Sequence, residues 1–241
     1  MLILAIETTG PFASVALTDG EKMTEIMNKT NYSHLQEIAP MVMEILAREK
    51  VDPKDLDALA VSMGPGSFTG LRIGMVSAKG FAQIWNKPLI TVPTLAEFAY
   101  ADDPMAKGCL VCPIFDARRS QVYGGIYKDG EALIPDGAYS INEYLEKLNA
   151  VQGKQTAIFY GDGVDAYLSD LQNYSRPVLF ADEEFRTQRA SCTARLAVKM
   201  FKEGKIQDAF TAEPEYLRAA EAERKLKDGS LKPQPTANTV E

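Results

Sequence analysis

Short apolar segments alternate with polar turns at the start of the chain, as in a protein built on a β-sheet. Residues 2–6 are continuously apolar, which is typical of a strand buried on both faces. Residues 13–18 and 22–27 follow as two further strands, and the Asp19–Gly20 step between them is a strong hairpin signal. The first 27 residues therefore predict three consecutive strands.

Helical spacing replaces this alternation after the third strand. Ser33 and Gln36 form a capping box, the sequence signature of a helix start. Apolar residues then recur at intervals of three and four, and the predicted core positions are Leu35, Ile38, Ala39, Val42, Ile45 and Leu46. Next come a strand over 58–62, a glycine turn, a helix to Trp85, a strand over 88–92 and a short helix over 94–101. The order is β-β-β-α-β-α.

The second half of the chain repeats this order without obvious sequence identity. The predicted elements are strands over 109–115, 121–127 and 131–134, a helix over 141–151, a strand over 156–160, and helices over 161–171 and 193–202. Each half also has a glycine turn after its fourth strand. We therefore predict an α/β protein with two lobes on β-β-β-α-β-α cores, the architecture of the actin-like ATPase (ASKHA) fold.

We divide the chain into four parts on this basis. The N-terminal lobe spans 1–101, and the C-terminal lobe spans 102–210. A helical segment over 211–227 is expected to pack back on the first lobe. The tail over 228–241 is rich in proline and polar residues, and we expect it to be disordered.

The most distinctive stretch is GPGSFTGLRIGMVSAKG at residues 64–80. Glycines before a helix free backbone N–H groups to point at an anion. Small residues also recur at every fourth position along one face of this helix, at Gly66, Gly70, Gly74, Ala78 and Ala82. A phosphate, the chain's own sheet or another protein could each lie close to such a face, and the pattern does not decide among the three.

Composition and charge narrow the function classes. The net charge of −7, with no dense run of Lys and Arg, argues against autonomous binding to nucleic acid. No apolar run approaches the roughly 18–20 residues of a membrane span, and the N-terminus lacks a signal-peptide pattern. We therefore expect a cytoplasmic protein without membrane contact.

The three cysteines predict no zinc site. Cys109 and Cys112 form a C-x-x-C within a predicted strand, and an odd separation sends their side chains to opposite faces. Cys192 stands alone, so the ligands of a structural zinc ion cannot be assembled.

Five segments resemble, in their order along the chain, the TsaB family, also called YeaZ. They are LILAIETTG, HLQEIAPMVMEIL, AVSMGPGSFTGLRIGMVSAKGFA, DARRSQVY and EPEYLRAAEAE, which span residues 1 to about 224. The string GPGSFTGLRIG is highly specific to this family. The resemblance implies a scaffold or activator without catalytic residues. Its partner would be TsaD, the enzyme that transfers a threonylcarbamoyl group to adenosine 37 of tRNAs decoding codons that begin with A.

The enzyme question depends on residues that TsaD-type chains have and this chain lacks. Those chains carry a metal-binding His-x-x-x-His pair after the glycine helix, and here Thr94 and Phe98 stand at the two places. His34 is the one histidine of the sequence, and we read it as a helix-start or interface residue. Actin-like ATPases usually have Asp where this chain has Glu7. We therefore expect no metal and no intrinsic cofactor, with ATP or ADP considered only at the interface of the assembled complex.

Nucleotide binding nevertheless stays a hypothesis for the turns of both lobes. The vestigial contacts would be Glu7, Thr8, Thr9, Gly64, Gly66, Arg118, Gly161 and Gly163. The alternative function is a stand-alone actin-like ATPase or small-molecule kinase. A peptidase is disfavoured because neither H-E-x-x-H nor G-x-S-x-G occurs.

A second, semi-apolar face on the first helix and on the glycine helix predicts a docking surface. The resemblance implies that TsaD binds there, or a second copy of the chain when TsaD is absent. It also implies that TsaE, a small ATPase, joins the complex, with residues 216–223 as a candidate contact, and that tRNA is reached only through the complex. The predicted docking residues are His34, Glu37, Ile38, Met41, Glu44, Ile45, Gly70, Arg72, Gly74, Met75, Ala78 and Lys79.

Overall fold

A computed structural model describes residues 1–28 and 34–217, and His34 only in its backbone. Its first lobe contains β1 (Ile3–Glu7), β2 (Ser14–Thr18), β3 (Met23–Met27), α1 (His34–Glu49), β4 (Ala58–Gly64), α2 (Phe68–Trp85) and β5 (Leu89–Pro93). The strands lie in the order β3-β2-β1-β4-β5. The first three pair antiparallel, whereas β4 runs parallel to both β1 and β5.

The second lobe repeats this topology. It contains β6 (Leu110–Asp116), β7 (Gln121–Lys128), β8 (Glu131–Ser140), α3 (Ile141–Gln152), β9 (Ala157–Tyr160), α4 (Gly163–Ala166), α5 (Leu168–Gln172), β10 (Val178–Phe180), α6 (Glu183–Arg186) and α7 (Ala190–Lys202). The order β8-β7-β6-β9-β10 matches that of the first sheet strand for strand. The predicted duplication of the β-β-β-α-β-α core is therefore confirmed.

Several details of the second lobe differ from the prediction: helix α6 was not predicted, and α7 begins at Ala190 rather than at residue 193. The single helix predicted over 161–171 is two short helices, because the backbone leaves the helical region at Tyr167. Strand β8 continues well past residue 134 through Pro135 and Gly137, which an edge strand tolerates. The short strand β10 was missed, since its three apolar residues are too few to show the period of a strand.

Helices cover both faces of the first sheet. On one face α1 and α2 form a core with side chains such as Leu4, Ile6 and Leu59. On the other face α7 packs Ala190, Ala194 and Ala197 against the sheet. Because α7 follows the second sheet in sequence but covers the first in space, the lobe boundary in space does not follow the expected sequence boundary at residue 102.

An aromatic core joins the two lobes. A short 3₁₀ segment, Ala96–Tyr100, follows β5, and its Phe98 and the preceding Leu95 are buried with residues of the second sheet. The ring of Phe98 lies 5.8 Å from that of Phe115 and 5.5 Å from that of Tyr160. The segment between the sheets is therefore a packed joint rather than an open linker.

Residues 207–217, which we call the C-terminal strip, return to the first lobe. Gln207 pairs with Leu89 at the edge of β5, and the Glu215 N–H donates to the Met63 carbonyl at 2.7 Å. No helix occurs within 211–217. The rest of the predicted helical segment, 218–227, and the tail over 228–241 lie outside the described residues.

Within residues 1–28 and 34–217, no helix combines the length and the apolarity that a membrane crossing requires.

Candidate functional site

The turns at the strand ends of both lobes line a cleft of about 450 Å³. The lining residues are Thr9, Gly10, Pro11, Gly66, Ser67, Phe115, Asp116, Arg118, Tyr123, Gly161, Asp162, Asp165, Arg186, Thr187 and Gln188. Four of the predicted nucleotide contacts, Thr9, Gly66, Arg118 and Gly161, are among them. The other four, Glu7, Thr8, Gly64 and Gly163, do not line the cleft.

The first-lobe turn uses its own backbone donors internally. Glu7 ends β1, and its carboxylate accepts hydrogen bonds from both the N–H and the hydroxyl of Thr9. The Thr9 carbonyl in turn accepts from the Ser67 N–H at 2.9 Å. An anion site at such a turn requires N–H groups that point freely into the cleft. Here the N–H of Thr9 is already occupied by a carboxylate of the same chain.

The second-lobe turn repeats this arrangement. The Asp116 carboxylate accepts from the Arg118 N–H at 2.8 Å and pairs with the Arg118 guanidinium at 3.0 Å. The Asp162 carboxylate accepts from the Asp116 N–H at 3.1 Å, and burial raises the pKa of Asp162. Arg186, the other cation in the lining, pairs with Asp165 at 2.7 Å. A phosphate would require free positive charge in the cleft. The lining instead has carboxylates, and its two arginines are already paired with them.

The small-residue face of α2 packs on the first turn. A Cβ built on Gly70 would lie 1.9 Å from the Thr8 carbonyl oxygen, and one built on Gly74 would lie 2.3 Å from the Thr8 hydroxyl. The Thr8 hydroxyl donates to the Gly70 carbonyl at 2.7 Å. Of the three occupants that the sequence left open, the one found at these glycines is the chain itself, at the turn that follows β1.

A buried pair of carboxyl groups lies beneath the first turn, and only one member of the pair was predicted. Glu7 and Glu97 are both completely buried, with the Ser62 hydroxyl between them. The Thr193 hydroxyl of α7 donates to Glu97 at 2.8 Å. The sequence could have indicated Glu97, because it is a charged residue within a short apolar segment, and charged residues are rarely buried in a core without a specific role.

Thr94 and Phe98, at the places of the histidine pair in TsaD-type chains, have structural contacts instead. The Thr94 hydroxyl accepts from the Gly64 N–H at 3.0 Å, and Phe98 belongs to the aromatic core between the lobes. Within the described ranges, no group of three His, Cys, Asp or Glu side chains could hold a metal ion.

The predicted docking residues on α1 and α2 need correction. Seven of them are buried within the chain itself and present no outward surface: Ile38, Met41, Ile45, Gly70, Gly74, Met75 and Ala78. The predicted core stripe of α1 was wrong at Leu35 and Ala39, which are exposed, while Met41 packs inward.

Other apolar side chains of the same helices are exposed. Leu35 and Met43 on α1 are 72% and 56% exposed, and Val76 and Ile84 on α2 are 70% and 77% exposed. We call these four residues the helix face. Because α1 and α2 contact each other, their exposed apolar side chains are candidates for a protein–protein contact. Among the charged residues predicted for docking, Glu44 is exposed beside Met43, and Glu37 is half-buried.

Arg72 and Lys79 connect α2 to the C-terminal strip. The Lys79 ammonium donates to the Ala212 carbonyl at 2.9 Å, and Arg72 Nε donates to the Tyr216 hydroxyl at 3.3 Å. The Arg72 guanidinium also lies 4.0 Å from the centre of the Phe68 ring. These two predicted docking residues therefore have contacts within the chain. The side chain of His34 lies outside the described structure.

Comparisons with known proteins find relatives whose names refer to the threonylcarbamoyl modification of tRNA adenosine. The sequence model of the family described as "TsaD: tRNA N6-adenosine threonylcarbamoyltransferase" matches residues 28–226. The "tRNA threonylcarbamoyladenosine biosynthesis protein TsaB" of Escherichia coli is 35% identical, over 94% of this chain and 98% of its own length. The protein of the same name from Bacillus subtilis is 32% identical, over 93% and 97%.

A solved structure extends the agreement to three dimensions. YeaZ from Pseudomonas aeruginosa superposes with a TM-score of 0.76 at 27% identity, covering 89% of this chain and 99% of its own. The two matched sheets have the actin-like ATPase topology, as the duplicated pattern predicted. Sequence and structure together therefore show that the chain belongs to the TsaB (YeaZ) family.

Proposed function

We propose that this chain is a cytoplasmic, non-catalytic subunit in tRNA threonylcarbamoyladenosine formation and that it activates a TsaD-type transferase by binding to it. Its relatives carry the name of that pathway. The observation that carries the proposal is the helix face, whose four apolar side chains are exposed on two adjacent helices. TsaE would join the assembled complex, and tRNA would be reached only through it.

A partner of the same fold would fit this face. The TsaD family model covers residues 28–226 of this chain, a range that includes α1 and α2. A transferase of that family would therefore present an equivalent pair of helices. Two such pairs can pack in an approximately two-fold arrangement, and a second copy of the chain would compete for the same face. Nucleotide, if any, would bind at the interface of the assembled complex.

The alternative function, a stand-alone ATPase or kinase, has less support from the geometry. The cleft offers no unpaired cation among the described residues that line it, since Arg118 and Arg186 both pair with carboxylates. Thr94 and Phe98 are engaged in packing and backbone contacts.

The test is a reconstituted assembly with the TsaD protein of the same organism. We expect Val76→Glu combined with Ile84→Glu to abolish co-elution with TsaD and to reduce threonylcarbamoyladenosine formation to the level without this chain. Charges at the centre of an apolar contact would be desolvated without partners. The matched control is Leu133→Glu with Leu179→Glu, which places the same charges on exposed second-lobe positions.

The control should bind and activate as the unchanged chain does. Circular dichroism should show that both double variants are folded. Co-elution that survives the helix-face charges would contradict the docking site, and full modification without this chain would contradict the activator role.

A further inference from the structure

The carboxyl pair beneath the cleft has an unusual hydrogen-bond arrangement. The Ser62 hydroxyl donates to Glu7 and lies 3.1 Å from Glu97 Oε2. The Thr193 hydroxyl lies 2.8 Å from that same Glu97 oxygen and 3.2 Å from the Ser62 hydroxyl. The other Glu97 oxygen, Oε1, is buried and has no hydrogen-bond partner among the described residues. One short chain of oxygens thus connects two carboxyl groups that water does not reach.

The two carboxyl groups differ in how well their negative charge is supported. Glu7 receives hydrogen bonds from Ser62, from the Thr9 hydroxyl and from backbone N–H groups, which lower its pKa against the larger raising effect of burial. Burial also raises the pKa of Glu97 well above its usual range, and the carboxylate of Glu7 raises it further. Glu97, which has fewer hydrogen-bond donors and one oxygen without a partner among the described residues, is therefore the member of the pair that is more easily protonated.

The surrounding elements add further groups. Glu25 on β3 raises the pKa of Glu97, and its own carboxylate binds the Arg189 guanidinium and accepts from the Ser191 N–H at 2.9 Å. On α7, the buried Cys192 thiol has a pKa raised by burial first and by Glu97 second. The two cations near Thr193 in sequence both have carboxylate partners: Arg189, just before α7, pairs with Glu25, and Arg195 on α7 pairs with Asp102 at 3.1 Å.

The cluster connects parts of the chain that are far apart in sequence. Glu7 and Ser62 belong to adjacent central strands, β1 and β4. Glu97 lies in the 3₁₀ segment whose Phe98 joins the lobes, and Thr193 lies in the first turn of α7. Residues 186–188, which precede α7, line the cleft. The position of α7 and the shape of the cleft therefore depend on the same contacts.

We propose that Glu7, Ser62, Glu97 and Thr193 form a proton-dependent latch that holds α7 and the segment between the lobes against the first sheet. When Glu97 is protonated, Glu7 carries the one buried negative charge of the pair, and the hydrogen bonds through Ser62 and Thr193 are intact. Loss of the proton leaves two buried negative charges side by side, and α7 separates from the sheet. Alkaline conditions then loosen the wall of the cleft that residues 186–188 form.

The sign of the pH dependence follows from the raised pKa. The unfolded chain releases the Glu97 proton in the usual range for glutamate, whereas the folded chain keeps it. The stabilising contribution is complete below the unfolded pKa and is lost as pH rises through the folded pKa. The free energy of unfolding should therefore fall with increasing pH across that interval.

The experiment compares thermal unfolding of the full chain and of Glu97→Gln from pH 5 to pH 9.5. We expect Tm of the unchanged chain to fall by about 3–5 °C per pH unit as Glu97 titrates, and this part of the fall to be absent in Glu97→Gln. Hydrogen exchange over residues 190–194, corrected for intrinsic rates, should accelerate with pH in the unchanged chain alone. Glu131→Gln is the control. Glu131 lies on β8, and its exposed carboxylate pairs with Lys199 of α7, so this variant removes a carboxylate that contacts the same helix as the latch does.

A second variant covers the case in which Glu97→Gln does not fold. Thr193→Val removes a donor that favours the charged form of Glu97, so the fall in Tm should move to higher pH. Identical pH profiles for the unchanged chain and both variants would overturn the latch. A rise in Tm on adding Mg²⁺ or Ca²⁺ that Glu97→Gln abolishes would show that the pair holds a cation instead, and would overturn it as well.

Discussion

At the residue scale, the absence of a side chain at Gly70 lets α2 lie close to the turn that follows the first strand. A methyl group at this position would collide with the Thr8 carbonyl oxygen, which is backbone and cannot turn aside. Gly80 lies in the same helix and is also helical, yet a Cβ built there meets nothing within 4 Å. At Gly70 a side chain would have no room, whereas at Gly80 it would have room. Comparing the two therefore distinguishes a steric clash from the general destabilisation of a helix by glycine.

Substitution of the two glycines by alanine should change stability in opposite directions. Gly70→Ala should lower the free energy of unfolding by about 3 kcal/mol or more, at the upper end of the cost of overpacking. Gly80→Ala should raise it by about 0.5–1 kcal/mol, because alanine loses less conformational entropy in a helix. Urea unfolding of both variants measures the difference, and equal destabilisation would contradict the close contact at Thr8.

Some residue-scale features could be read from the sequence and others could not. The spacing of Gly66, Gly70 and Gly74 indicated a close-packed face, but only the structure shows that Thr8 and Thr9 fill it. Glu97 was missed because its role depends on Thr193, which is 96 residues away in the chain. Local periodicity carries no information about such a partner.

At the element scale, the segment between β5 and β6 acts as an aromatic joint. Phe98 is 2% exposed and touches the rings of Phe115 and Tyr160 from the other lobe. The side chain fills space that belongs to both sheets. Its removal should weaken the contact between the lobes as well as the packing within each.

Phe98→Ala should therefore destabilise the protein by about 3–5 kcal/mol, the usual cost of removing a buried aromatic side chain. Ile84→Ala serves as the comparison, because Ile84 is 77% exposed and its loss should change stability by less than about 0.5 kcal/mol. Chemical denaturation of both variants gives the two values. Similar small losses would mean that the aromatic joint contributes little to holding the lobes.

Element boundaries were largely predictable, whereas the direction in which helices face was not. The α1 pattern Leu35, Ile38, Ala39 and Val42 fits a helix, but two of these residues point outward. The rotation of α1 about its axis is set by its packing on α2 and β2, which the helix sequence alone does not encode. The corrected docking residues on α1, which are Ile38, Met41 and Ile45, follow from this rotation.

At the scale of the whole molecule, the two lobes form a cleft whose anion-binding turns are already satisfied. Carboxylates of Glu7 and Asp116 accept the N–H groups of Thr9 and Arg118. The duplicated fold was predictable from the repeated element order. The sequence did not predict that carboxylates of the chain itself would accept these N–H groups, since Glu7 and Asp116 could equally have faced a metal or a nucleotide.

The isolated chain should therefore show no saturable binding of ATP with Mg²⁺. Isothermal titration calorimetry at neutral pH provides the measurement, with the same titration into a TsaD-containing assembly as the comparison. Saturable heat from the isolated chain, with a Kd below about 1 mM, would contradict the assignment of the cleft as internally satisfied.

The packing of α7 on the first sheet also has a consequence for how the protein is made. Ile3, Ala5, Ala60 and Ile90 lie under a helix that a ribosome adds only after the whole second lobe. Until residues 190–202 leave the exit tunnel, the nascent first lobe has one covered sheet face and one bare apolar face. The first lobe therefore cannot finish folding until translation has nearly reached the end of the chain. Before that point, a chaperone that binds apolar sheet surfaces could bind the uncovered face of the first sheet.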